Sequence, residues 1–85
     1  MKLVKFGDLP PGTIWRMPDD NGWWLKVDAS NVYRDCHNAD PEHKGWSIQI
    51  SGHYARSFAG LLFWTRNDRD VVVWDGKEDL NDQDS

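Results

Sequence analysis

Short stretches of alternating apolar and polar residues recur along the chain, and this period of two predicts β-strands. The alternation is clearest over residues 46–51. It also runs through residues 13–17 and 23–28, on either side of a polar connection that ends in Asn21-Gly22. Because Asn-Gly favours tight hairpin turns, these two stretches are predicted to pair as an antiparallel hairpin.

Strand alternation also predicts which side chains face the core, since successive side chains point to opposite faces. The expected inward residues of the hairpin are Trp15, Met17, Trp23, Leu25 and Val27. The expected outward residues are Arg16, Trp24 and Lys26. In the stretch 46–51, Trp46, Ile48 and Ile50 are expected to face inward.

The remaining segments extend the same pattern. Further strands are predicted at 2–6, 32–36, 61–66 and 71–75, with the last two joined as a second hairpin. Residues 8–12, DLPPG, predict a rigid turn in which Gly12 takes a positive φ. The polar stretch 37–45 is expected to be the longest loop. Residues 53–60 fit a short helix ended by Gly60, near 53–59, or a loop with one helical turn.

Several short strands separated by Pro, Gly and Asn turns are typical of small all-β domains. We therefore predict an all-β fold with five or six strands, either an SH3-like barrel or a rolled antiparallel sheet. Residues 1–75 are expected to form one domain. Residues 76–85 are charged and poor in apolar side chains, so they predict a flexible, disordered acidic tail.

Charge changes the picture of possible partners. Residues 75–85 carry the whole net charge of −4, and the rest of the chain is balanced. A body without a basic stripe argues against a general binder of phosphate backbones. The tail either solubilises the protein or imitates nucleic acid in a partner's basic groove. No apolar run reaches the length of a membrane span or signal peptide, and the single Cys36 fits a reducing compartment, so a cytoplasmic protein is expected.

Candidate reactive groups give no recognisable catalytic or metal site. Cys36, His37, His43 and His53 match no zinc-ligand spacing, and adjacent Cys36 and His37 point apart if they lie on a strand. The chain has no phosphate-binding glycine loop, and it is short for a water-excluding cleft. We therefore expect no metal, no cofactor and no enzymatic activity.

The run Phe6-x-Asp8-Leu9-Pro10-x-Gly12-x-x-Trp15, followed after a polar turn by Leu25-Lys26-Val27, resembles the opening of many short bacteriophage and prophage proteins. Residues 71–75, VVVWD, are similar to their usual final strand. This resemblance covers the first third of the chain and the last strand, and residues 32–60 depart from it. It implies a small β-barrel of phage origin, in the host cytosol, with a non-enzymatic binding role.

The surplus of six Trp residues is the most informative compositional feature. An outward Trp24 beside Arg16 and Lys26 suggests an interface anchor or a base-stacking platform, since Trp and Arg dominate binding hot spots. The alternative is that Trp24 covers one opening of the barrel. Tyr54 and Arg56 are further candidate contacts, unless Tyr54 and Phe58 plug a barrel end.

These features predict a small protein that docks on a host or phage protein, for instance as an inhibitor of a defence or transcription factor. The predicted contacts are Arg16, Trp24, Lys26, Tyr54 and Arg56. The alternative is a sponge-like binder of nucleotides or single-stranded nucleic acid that uses the same aromatic and cationic groups. A monomer is expected, or a homodimer paired through an outer strand at 71–75 or 46–51.

Overall fold

The structure is a computed structural model, and it describes residues 2–28, 43–57, 59–78 and 80. Its elements, in chain order, are β1 (Leu3–Lys5), a 3₁₀ turn (Phe6–Asp8), β2 (Ile14–Arg16), β3 (Trp23–Val27), β4 (Lys44–Gln49), the short helix α1 (His53–Ser57), β5 (Phe63–Arg66) and β6 (Asp70–Val73). The strands form one antiparallel sheet curled into a half-barrel. The all-β prediction is thus confirmed, in its rolled-sheet form, and so is the short helix near 53–59.

The order of strands in the sheet is β1-β6-β2-β3-β4-β5. The predicted hairpin of β2 and β3 is present, but the predicted second hairpin is wrong. β6 does not pair with β5. It lies between β1 and β2, where its Val71 and Val72 are buried. The strands named as candidates for pairing across a dimer, β4 and β6, are therefore central. In the part of the chain that the structure describes, the two edge strands of the sheet are β1 and β5.

The register of the first hairpin differs by one residue from the prediction. Trp15 lies opposite Trp24, and Arg16 lies opposite Trp23. Trp24 thus shares the concave face with Trp15, and their rings stack with centroids 5.8 Å apart. Because side chains alternate, this single step moves Lys26 to the concave face and Trp23 and Leu25 to the convex face.

The reason for this register lies in the connection between β2 and β3. It runs over residues 17–22, one residue longer than the predicted connection at 18–22. The Arg16 guanidinium holds it by donating to the carbonyl oxygens of Met17 and Asp20, at 3.0 and 3.3 Å. A longer connection does not impose the register that a two-residue turn would fix.

The predicted orientation of β4 is also wrong, although the alternation itself is present. Ser47 and Gln49 face the concave side and are buried, whereas Trp46 and Ile48 lie opposite Val27 and Leu25 on the convex side. Buried polar groups are tolerated when they are hydrogen-bonded. The Ser47 hydroxyl accepts a hydrogen bond from Trp15 Nε1 at 3.1 Å, and Gln49 Oε1 accepts one from the Tyr54 N–H at 2.7 Å.

The core lies inside the curl. It consists of Phe6, Leu9, Trp15 and Val71, with Val4, Met17, Trp24 and Val73 packed against them. Phe6 connects the two halves of the sheet. Its N–H donates to the Arg69 carbonyl, and its ring packs against Gly45 on β4. The ring is so close that a Cβ on residue 45 would lie 2.5 Å from Phe6 Cε2. As predicted, Gly12 adopts a positive φ, +94°, after the two prolines.

Several predictions lie outside the described residues. They include the strand at 32–36, Cys36 and His37, Phe58, and the end of the acidic tail. At the start of the tail, the Asp75 carboxylate accepts hydrogen bonds from the Lys77 and Glu78 N–H groups, which lowers its pKa. Within the described part of the chain, no helix is long and apolar enough to cross a bilayer.

Candidate binding surfaces

A cavity lies between the two ends of the curled sheet, and we call it the seam cleft. Its volume is about 800 Å³. The lining residues come from both edge strands and two connections: Leu3, Met17, Pro18, Asp19, Trp64, Thr65, Arg66, Asp68, Arg69 and Asp70. A volume of this size lies within the range of ligand sites in proteins.

Two of the residues that line the seam cleft are apolar and exposed. Leu3 on β1 and Trp64 on β5 are each 50% exposed. The Trp64 ring has the Lys44 ammonium 4.5 Å from its centroid, which orients the indole by a cation–π contact. Met17 and Thr65 are more deeply placed and form the inner part of the lining.

The rim of the seam cleft is charged, and most of its charges are paired. Arg66 bonds Asp68 at 2.9 Å. Lys5 bonds Asp70 at 2.9 Å, and this contact raises the pKa of the Lys5 ammonium. In the described structure, Arg69 is left without an acidic partner, and its guanidinium is available at the rim.

A second, smaller cavity lies beside α1. Its volume is about 290 Å³, and its lining is mostly polar: Asp20, Asn21, Gly22, Gln49, Gly52, His53, Tyr54 and Arg56. Gly22 leaves room for the Gln49 amide, because a Cβ at residue 22 would lie 2.1 Å from Gln49 Nε2. Tyr54 is 40% exposed and borders both this cavity and the aromatic cluster of the concave face.

The structure separates the five residues predicted as contacts. Trp24 is not an outward anchor: it packs in the concave face against Trp15, Tyr54 and Phe63. Its Nε1 is buried and has no hydrogen-bond partner among the described groups. The alternative prediction put Trp24 over one opening of the barrel with Arg16 or Lys26 against its ring, but these two cations lie against Trp23 and Phe6 instead.

Lys26 and Arg16 are engaged within the fold, on opposite faces. Lys26 Nζ donates to the Phe6 carbonyl at 3.0 Å and lies 4.3 Å from the Phe6 ring centroid. Partial burial lowers the pKa of this ammonium. The Arg16 guanidinium lies 5.5 Å from the ring of Trp23, so Trp23 takes the place that was expected for Trp24.

Of the predicted contacts, Tyr54 and Arg56 lie together at the smaller cavity. None of the five predicted contacts lines the seam cleft, which the sequence did not predict. Its main apolar residues, Leu3 and Trp64, lie on strands that the sequence did predict. What the sequence did not reveal is that both strands are edges, because strand order depends on long-range pairing. Arg69 does not stand out in the sequence, because the charged residues Arg66, Asp68 and Asp70 lie beside it.

The described residues hold no group of three or more His, Cys, Asp or Glu side chains arranged to bind a metal ion. Comparisons with protein-family models, with curated proteins and with solved structures gave no match. The candidate sites therefore rest on the geometry of this chain.

Proposed function

We propose that this chain is a small non-enzymatic binding module that docks on another protein through the seam cleft. The observation that carries the proposal is a cleft of about 800 Å³ that has half-exposed Leu3 and Trp64 on its walls. Apolar and aromatic side chains at the centre of a patch with a charged rim are typical of protein interfaces.

The resemblance of the opening residues to phage proteins supports a finer form of this proposal. In that form, the partner is a host or phage protein, and docking inhibits a defence or transcription factor in the host cytosol. Such a role requires a rigid scaffold and an exposed anchor, and no reactive group. Trp64 replaces Trp24 as the proposed anchor, because the Trp24 ring packs within the aromatic cluster.

Capture of partners from bacterial lysate, with mass spectrometry and then affinity measurement on the purified pair, tests this function. Trp64→Ser is expected to weaken binding by more than about 1 kcal/mol, since exposed Trp anchors commonly contribute that much. The matched control is Leu61→Ser, because Leu61 is 52% exposed and does not line the cleft. Equal affinity of the Trp64→Ser variant and the wild type would contradict the proposal.

A second candidate function is the binding of nucleotides or single-stranded nucleic acid at the smaller cavity. The observation that favours it is the exposed Tyr54 ring beside Arg56, where a base would stack and a phosphate would meet the guanidinium. This function predicts fluorescence quenching by nucleotides that weakens with salt and with Arg56→Ala. Unchanged fluorescence across a nucleotide panel would exclude it.

A further inference from the structure

Among the described residues, β5 is hydrogen-bonded to β4 on one side and has no strand neighbour on the other. The Asn67 N–H donates to the His43 carbonyl at 2.7 Å. Residue pairs in an antiparallel ladder alternate between bonded and non-bonded, so Thr65 and Phe63 also bond to β4. The N–H and C=O of Trp64 must then point away from β4, along the open edge and towards the seam cleft.

On the other side of the cleft, β1 shows the same alternation of bonded and unbonded backbone groups. The Phe6 N–H donates to the Arg69 carbonyl at 2.8 Å, so Val4 is the next bonded residue towards β6. The N–H and C=O of Leu3 therefore point to the free edge of β1. The seam cleft thus has a strand edge on each side, and each edge offers backbone groups that have no sheet neighbour among the described strands.

We propose that the seam cleft binds an extended peptide segment of a partner protein, which adds to the free edge of β5 as a further strand of the sheet. This inference rests on the proposed function and specifies how the partner is held. The backbone of the segment pairs with Trp64, its apolar side chains contact Leu3 and Trp64, and a carboxylate on it pairs with Arg69.

Three observations select this occupant. Unpaired strand edges bind extended chains through main-chain hydrogen bonds, which a helical partner lacks the free groups to supply. Leu3 and Trp64 line the cleft from its two edge strands, so an extended segment with alternating apolar side chains can contact both. Arg69 is the rim cation that lacks a carboxylate partner among the described residues, so a complementary segment carries an acid near that end.

Selection from a displayed library of random twelve-residue peptides, against the whole chain, supplies the probe. We expect the selected peptides to share alternating apolar residues and an Asp or Glu. Binding of one synthetic selected peptide is then compared with two N-methylated forms, methylated at one or the other set of alternating residues. Because only one set of N–H groups faces β5, one form is expected to bind at least about tenfold more weakly and the other to bind almost as the parent.

Variants of the protein locate the site. Hydrogen exchange is expected to show a fast Trp64 amide in the free protein that becomes protected in the complex. Arg69→Glu is expected to weaken binding at least about fivefold, and a peptide whose acid is replaced by Lys is expected to restore it. Trp64→Val keeps the N–H and is expected to retain protection of residue 64 while losing affinity.

The outcomes separate this inference from the proposed function. Peptides that bind at the seam cleft without sensitivity to alternate N-methylation would overturn the strand mode and leave docking intact. Peptides that bind at the smaller cavity, or a wild-type chain that dimerises with its Trp64 amide protected, would also overturn it. Failure to select any peptide would count against the inference, whereas the lysate experiment with Trp64→Ser decides the proposed function independently.

Discussion

Polar side chains occupy several inward positions of this sheet because each one satisfies a particular partner. Ser47 is fully buried and accepts the hydrogen bond of Trp15 Nε1. Ser51 accepts the hydrogen bond of the Trp23 N–H at 3.1 Å, and Gln49 accepts that of Tyr54. At the residue scale, these hydrogen bonds make the inward orientation of polar residues acceptable, against the usual hydrophobic pattern.

Removal of the Ser47 hydroxyl is expected to destabilise the fold. Ser47→Ala leaves the buried Trp15 N–H without a partner, and an unsatisfied buried donor costs about 1–3 kcal/mol. Urea unfolding measures this as a lower midpoint at an unchanged slope. Ser57→Ala, at an exposed position on α1, serves as the control and is expected to change stability by less than about 0.5 kcal/mol. Equal stability of the two variants would contradict the role of Ser47.

Lys26 is expected to make stability depend on alkaline pH. Burial lowers its pKa in the folded state below the usual 10.5, so the unfolded chain binds more protons between the two values. Stability therefore rises as the pH increases through the folded pKa towards 10.5. Relative to Lys26→Met, the wild type should gain in free energy of unfolding between pH 7 and 10.5, as measured by urea unfolding at several pH values.

Lys5 provides a control of the opposite sign. Its hydrogen bond and ion pair with Asp70 raise its pKa, so its contribution is present below 10.5 and is lost as the pH rises through the folded value. The difference between wild type and Lys5→Met should thus not grow between pH 7 and 10.5. Parallel pH curves for wild type and Lys26→Met would show that the Lys26 ammonium stays fully solvated.

At the scale of single elements, β5 behaves differently on its two sides. One side supplies three alternating residues to the ladder with β4, and the other borders the seam cleft. Four of the six residues predicted as a strand at 61–66 form β5, but the hydrophobic pattern could not reveal that one side has no neighbour among the described strands. β5 is an edge strand because β6, the next strand along the chain, does not pair with it. β6 pairs instead with β1 and β2, which lie at the other end of the sequence.

Proline substitutions are expected to distinguish the two sides of β5. Proline lacks an N–H, so it is accepted where the N–H points away from the ladder and not where the N–H is bonded. Thr65→Pro should therefore cost at least about 1–3 kcal/mol more than Trp64→Pro. Thermal unfolding followed by circular dichroism compares the two. If Trp64→Pro were the more damaging change, the assignment of the free edge would be wrong.

At the scale of the whole molecule, Phe6 is the residue that holds the curl together. It is fully buried, its backbone contacts the connection between β5 and β6, and its ring contacts Trp15 and the Lys26 ammonium. Gly45 on β4 leaves the space for the ring. Contacts from one side chain to both halves of the sheet explain how a chain this short encloses a core.

Truncation of Phe6 is expected to remove most of the stability. A buried Phe→Ala change costs about 3–5 kcal/mol, against about 4–13 kcal/mol for an average domain of this length. Thermal and urea unfolding of Phe6→Ala should show a marginal or absent cooperative transition. Phe63→Ala, at a half-buried position, should cost less. Gly45→Ala, which pushes on the Phe6 ring, is expected to cost about 1–3 kcal/mol.

The sequence by itself determined the β class, the approximate positions of all six described strands, the short helix and the turn at Gly12, because these follow from local alternation and backbone preference. Only the tertiary structure decided which face of each strand is buried and where β6 lies. Trp23-Trp24 gives both faces of β3 an apolar side chain, so local pattern cannot set the phase. Hydrogen bonds between distant residues, such as that from Trp15 to Ser47, decide which side chains of each strand face the core. They thereby also decide where each candidate contact residue lies.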